Sequence, residues 1–254
     1  MVIINNLKEF WKSEERKAHI TGWDFSYIRN RFESEENSLP WDISDVIHRY
    51  KHNTDFLLDI DTGGGEFLLS LGHPYYLTSA TEGFQPNVVL CRKKFRTLGI
   101  EFHEMTDYSS MPFSDERFDI IINRHGNYNA KEISRILKPN GVFITQQVGE
   151  DNDRELIQRL IPDSVRQFKG HNLSNCIKDF ENVGFSVIEG NEAYCPIRFY
   201  DTGALVWFAK IIEWEFTGFS VDKCFKQLIE TENEIKQNGF VSGRIHRFYV
   251  VARK

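Results

Sequence analysis

Two periods of hydrophobic residues alternate along this chain. Ile3, Leu7, Phe10 and Trp11 recur at helical spacing with Lys and Glu opposite them, which predicts an amphipathic helix over residues 2–19. Ile43 to Tyr50 predicts a short helix after Pro40-Trp41. Phe56, Leu57, Leu58 and Ile60 then form a nearly unbroken apolar run, as a parallel strand covered on both faces requires. Further strands are predicted at Tyr75 to Ala80, Ile100 to Met105, Ile120 to Asn123 and Val142 to Val148. A short helix opens at Glu66, and a longer one starts at Pro86 and stops at Gly99. Strands alternating with helices in this way predict an α/β fold around a mostly parallel sheet.

Past residue 150 the pattern predicts helices at Glu155 to Ile161 and Leu173 to Val183, and a strand at Phe185 to Glu189. A last strand, His246 to Ala252, is expected to pair with that one as a hairpin. The long connection between them carries the apolar run Leu205 to Ile212 and a helix over Val221 to Gln237. Insertions on a rigid scaffold commonly carry specificity. The expected organisation is an N-terminal helical cap over residues 1–50 and a main domain over 51–254, with 193–243 as a substrate cover.

The densest signal is Asp55 to Glu66, DFLLDIDTGGGE. A buried strand runs into three glycines and then a helix start, whose unpaired N–H groups face the turn. Strand, Gly-rich turn and helix start together make a nucleotide site. Such a site needs an acidic residue at the end of the next strand, about 20 residues on, to hold ribose hydroxyls. Glu82 stands there, followed by Gly83. The turn lacks the third glycine of a dinucleotide fingerprint, and Glu66 puts a negative charge where a pyrophosphate would lie. A ligand without phosphates suits it better.

Composition narrows the field. The chain has 254 residues, 27% charged and 41% hydrophobic, which is ordinary for a globular protein with a large core. Its net charge is −6, with no Lys/Arg-rich run, so binding to a nucleic-acid backbone is not favoured. Cys91, Cys176, Cys195 and Cys224 are scattered without metal spacing, so reduced thiols and no metal site are expected. No signal peptide or membrane-length apolar run is visible, and a cytoplasmic location is expected.

D-I-D-T-G-G-G resembles motif I of class I S-adenosylmethionine-dependent methyltransferases. In that alignment Asp59 is the acidic residue, Gly63 and Gly65 are the second and third glycines, and Asp61 replaces the first. Met111 to Asp119 resembles the L-P-F-x-D-x-x-F-D segment of small-molecule methyltransferases, and Arg135 to Gly141 their R-x-L-K-P-G-G turn. A bacterial subfamily shares G-W-D-F, A-T-E-G-x-x-P-N, N-R-H and T-Q-Q-V-G, here Gly22–Phe25, Ala80–Asn87, Asn123–His125 and Thr145–Gly149. The resemblance implies a Rossmann-like three-layer sandwich with a seven-stranded, mostly parallel sheet and an antiparallel last strand. It implies S-adenosylmethionine as cofactor, S-adenosylhomocysteine as product, and methyl transfer to an O, N or C nucleophile of a small molecule.

Carried over by position, the cofactor contacts are Asp59, Asp61, Thr62, Gly63, Gly65, Glu82, Gly83, Asp107, Tyr108, Ser109, Asn123 and Arg124. Asp107 and its neighbours are assigned to the adenine. Asp61 is also a candidate partner for the cofactor's ammonium group. His125, at the end of the fourth strand, is the candidate proton acceptor, since its pKa lies near working pH. Trp23, Trp41, Arg198 and Tyr200 are candidate substrate contacts. Arg198 alternatively pairs with Asp201. The alternative functions are an RNA or modified-base methyltransferase and a cofactor-binding protein without catalysis. The partner is a small-molecule acceptor, with no membrane, and the chain is a monomer or homodimer.

Overall fold

The strand that leads into the Gly-rich turn is β2 (Leu57–Ile60), and all four of its residues are buried. In this computed structural model, residues 2–20, 24–34 and 39–254 are described. Parallel neighbours flank β2 on both sides. On one side lie β3 (Thr78–Glu82) and then β4 (Glu101–Glu104). On the other lie β5 (Phe118–Arg124) and β6 (Leu137–Val148). β8 (Val241–Arg253) runs antiparallel to β6, from Val148↔Arg247 to Val142↔Arg253. The full order is β1-β7-β8-β6-β5-β2-β3-β4.

The apolar runs are continuous because successive side chains enter different cores. Leu58, Ile60, Ile121 and Phe143 join one cluster with Ile133 and Ile136 of α5 (Ala130–Ile136) and Phe180 of α7 (Leu173–Asn182). Leu57, Ile120, Ile122 and Ile144 join the other. There they meet Val46 and Ile47 of α2 (Ile43–Tyr50), Leu68 of α3 (Glu66–Ser70), and Cys91 and Phe95 of α4 (Gln85–Leu98). These layers form the Rossmann-like sandwich.

The chain divides into two compact units. The larger holds Pro40–Gly149, Gly170–Ala193 and Arg247–Lys254, including the sheet's parallel strands. The smaller holds Met1–Leu39, Glu150–Lys169 and Tyr194–His246. Its core gathers Trp11 of α1 (Val2–Lys17), Leu160 of α6 (Arg154–Leu160), Trp207 of α8 (Thr202–Ile211) and Leu228 of α9 (Phe225–Asn238). Arg31 ties this unit together: it meets both carboxylate oxygens of Asp201, at 2.7 and 2.8 Å, and Glu14 at 2.7 Å. Among the described residues, no helix is long and apolar enough to cross a membrane.

Several expected boundaries change. The sheet has eight strands rather than seven, because β1 (Phe32–Ser34) adds antiparallel to the C-terminal half of β7 (Ser186–Phe199). Tyr75–Leu77 is a 3-10 turn rather than the start of a strand; Leu77 N–H and the Thr78 hydroxyl both donate to Pro74 O, and the strand begins at Thr78. β7 does not end near Glu189 but runs on to Phe199, so Arg198 lies on a strand. α9 begins at Phe225 rather than Val221. Asn140 takes φ +65° at the bulged start of β6, beyond α5, which stops at Ile136.

Candidate active site

The carboxyl ends of β2, β3 and β5 lie side by side in the larger unit, and they carry Asp59, Glu82 and Asn123. After β4 the chain crosses to the opposite side of β2 to form β5. The crevice outside such a switch point is where open α/β sheets bind ligands.

The Gly-rich turn follows β2. Gly65 caps α3 at φ +81°, and a Cβ there would collide with the Phe95 ring, so the helix can approach the sheet only with glycine. Lys94 spans the turn, donating to Gly64 O and to Glu66 at 2.7 Å each. That contact, the largest influence on it, holds the Glu66 carboxyl below its ordinary pKa. Asp61 adopts φ +56°, the conformation of the glycine it replaces. Its two oxygens accept from the Tyr108 hydroxyl and from Asn127 N–H, the latter at 2.9 Å. Its carboxylate is therefore engaged by the protein itself. Burial raises its pKa, and Tyr108 works against that shift.

Asp59 is sealed beneath the turn. Burial pushes its pKa up to about 7, opposed first by the nearby Thr62 hydroxyl and then by the positive charge of Arg124. The Arg124 guanidinium lies 4.5 Å from the centre of the Phe67 ring. Glu82 is buried at the end of β3. One oxygen accepts from Gly83 N–H and Phe84 N–H at 2.9 and 2.8 Å, and among the described residues the other meets only the Asn87 amide at 3.5 Å. A Cβ on Gly83 would collide with the Met105 carbonyl, which explains glycine at this crossing. Among the described residues, Asn87 Oδ1 is a buried polar atom with no partner.

Asp107 and Ser109 are exposed; Asp107 accepts from Ser109 N–H at 2.8 Å, which lowers its pKa. Asn123 is held on all sides. It donates to Ile60 O and accepts from Thr145 Oγ1 and Gln147 Nε2. His125 has φ +61° and donates its backbone N–H to Gln146 O. Its Nε2 faces Gln146 Nε2 at 3.1 Å, and Gln146 Oε1 accepts from Trp41 Nε1 at 2.8 Å. Burial, with the charges of Arg247 and Arg124, lowers the His125 pKa well below its usual value.

The larger unit thus brings together Asp59, Asp61, Thr62, Gly63, Gly65, Glu82, Gly83, Tyr108, Asn123, Arg124 and His125, with Trp41 joined through Gln146. Arg198 and Tyr200 lie in the smaller unit, where both meet Glu33, at 3.5 and 2.6 Å. Asp201 takes Arg31 as its partner, so the expected Arg198–Asp201 pair gives way to Arg198–Glu33. Trp23 lies outside the described residues. Sequence reasoning gave Asn87 and Gln146 no role, although both fall in the motifs A-T-E-G-x-x-P-N and T-Q-Q-V-G.

Residues 58–145, which hold the turn, Glu82, Tyr108 and Asn123–His125, match the family model described as a methyltransferase domain. An uncharacterised protein of Methanocaldococcus jannaschii is 28% identical over 79% of this chain and 87% of its own. The phthiotriol/phenolphthiotriol dimycocerosates methyltransferase of Mycobacterium tuberculosis is 28% identical over 43% of this chain, which spans 47% of that enzyme. A proposed methyltransferase of Bacillus halodurans shares the fold, with TM-score 0.58 and 18% identity over 84% of this chain and 98% of that one. So does a Bacillus subtilis protein, with TM-score 0.57 and 20% identity over 84% of this chain and 97% of that one.

Proposed function

We propose that this protein is an S-adenosylmethionine-dependent methyltransferase acting on an O, N or C nucleophile of a small molecule. The carrying observation is Glu82: a buried carboxylate beside the Gly-rich turn of a segment that matches a methyltransferase domain, with one oxygen fixed by the backbone and the other lightly engaged. A carboxylate so held is ready to accept from ribose hydroxyls.

The residues present fit the cofactor. Among the described residues, Asn87 Oδ1 is buried and lacks a partner, and no atom lies within 4 Å of where a Gly63 Cβ would project. Bound S-adenosylmethionine would supply an electrophilic methyl group. In this reading Glu82 and Asn87 hold the ribose, the turn backs the chain between ribose and amino acid, and the Asp107–Ser109 loop meets the adenine. Asp61 fixes Tyr108 against the turn rather than serving the ammonium group. Asn123 braces the end of β5 against β2, and His125 faces the acceptor. Orientation does most of the work, since aligning two reactants removes much of a transfer barrier.

The test is incubation with methyl-labelled S-adenosylmethionine and fractionated small-molecule extract. The reading expects S-adenosylhomocysteine together with label in a small molecule. Label in RNA alone would overturn the acceptor class. Binding of S-adenosylmethionine with no product from any fraction would favour a non-catalytic role.

A further inference from the structure

The hydrogen bonds around His125 determine which ring nitrogen carries its hydrogen. An indole N–H can only donate. Trp41 Nε1 donates to Gln146 at 2.8 Å, so the oxygen end of that amide faces Trp41. The nitrogen end, which can only donate, then faces His125 Nε2 at 3.1 Å. Nε2 must accept, and its lone pair is taken. A neutral ring in that state carries its hydrogen on Nδ1. Among the described residues nothing accepts from Nδ1, and it is not a buried orphan. Arg124 precedes His125 at the end of β5, and Arg247 stands on β8 opposite Val148, two positions beyond Gln146 on β6.

We propose that His125 serves the transfer as a hydrogen-bond donor, offering Nδ1–H to an acceptor oxygen that carries negative charge. Trp41 and Gln146 are positioning residues that hold it in this tautomer. The inference rests on the methyltransferase reading for the word acceptor, and it narrows the nucleophile to an oxyanion such as a carboxylate, enolate or phenolate. Such a nucleophile arrives without its proton, so the step needs no base. A donor near two arginines suits an anion and disfavours an ammonium or a neutral amine. It also explains a tryptophan N–H spent on a glutamine rather than on a ligand.

The tautomer is read by nitrogen NMR on protein labelled with ¹⁵N in its imidazole rings. The wild type is expected to carry the His125 hydrogen on Nδ1. Gln146→Glu replaces the donor with a carboxylate that only accepts, and is expected to move the hydrogen to Nε2. Gln146→Leu, which removes the partner, is expected to give a mixture. A wild-type ring protonated at Nε2, or a ring unmoved in Gln146→Glu, would overturn the assignment. This readout needs no cofactor, so it stands or falls apart from the methyltransferase reading. For the acceptor class, benzoate and benzylammonium are the probes, each added with and without S-adenosylhomocysteine. Benzoate is expected to shift the Nδ1–H signal and benzylammonium to leave it. A shift with benzylammonium only, or with neither probe, would overturn the oxyanion assignment.

Discussion

Asp61 stands where a glycine is expected and adopts a glycine's conformation, at φ +56°. Aspartate is among the residues that visit this region at modest cost, and its carboxylate gains the Tyr108 hydroxyl and Asn127 N–H in return. Gly65 has no such latitude. Gly65→Ala would combine φ +81° with a collision against Phe95, and is expected to destabilise by roughly 2 kcal/mol or more in chemical denaturation. Asp59 makes a pH-dependent prediction. Its folded pKa, about 7, lies above the ordinary value of 3.8. The neutral form is therefore favoured in the folded state, and stability falls as pH rises through the interval between those values. At pH 8 the charge costs a few kcal/mol, at about 1.4 kcal/mol per tenfold change in acidity. Asp59→Asn should be more stable than wild type in urea at pH 8, with the advantage shrinking towards pH 5. An equal difference at both pH values would mean that the carboxylate is not sealed.

At the scale of elements, the central strands were legible because they are buried on both faces and read as apolar runs. Helix ends were legible where glycine marks them: Gly99 and Gly239 both take positive φ as caps. β7 was underread beyond Glu189 because Gly190, Asn191 and Pro196 look like loop residues, yet the strand carries them. β1 is only three residues, too short for an alternation to be read from sequence, and left no signal. The Gly-rich turn and Glu82 were visible because a βα unit keeps them local. The Trp41–Gln146–His125 chain was not, since Trp41 and Gln146 are separated by 105 positions. Asn87 was in view as part of a motif, but an unpartnered amide oxygen appears only once the fold buries it. In the smaller unit, Glu14 is 2% exposed and relies on Arg31, whose fork also grips Asp201, the N-cap of α8. Arg31→Met would leave a buried charge poorly compensated and is expected to cost about 3 kcal/mol in chemical denaturation. A loss within about 0.5 kcal/mol, typical of an exposed pair, would contradict that role.

At the scale of the molecule, residues 58–145 match a methyltransferase-domain model, and the rest of the chain builds the remaining strands of the sheet and the smaller unit. The N-terminal segment and the 194–246 stretch share one hydrophobic core, although the sequence separates them by more than a hundred residues. The central claim is that Glu82 receives the ribose of the cofactor. Calorimetric titration with S-adenosylhomocysteine, on wild type and on Glu82→Gln, tests it most directly. Glutamine preserves an acceptor for Gly83 and Phe84 N–H while removing the charge. The account predicts binding to wild type and a loss of roughly tenfold to hundredfold in the variant, from a charge-assisted contact worth about 1.5–3 kcal/mol. No binding to wild type, or equal affinity in the variant, would contradict it.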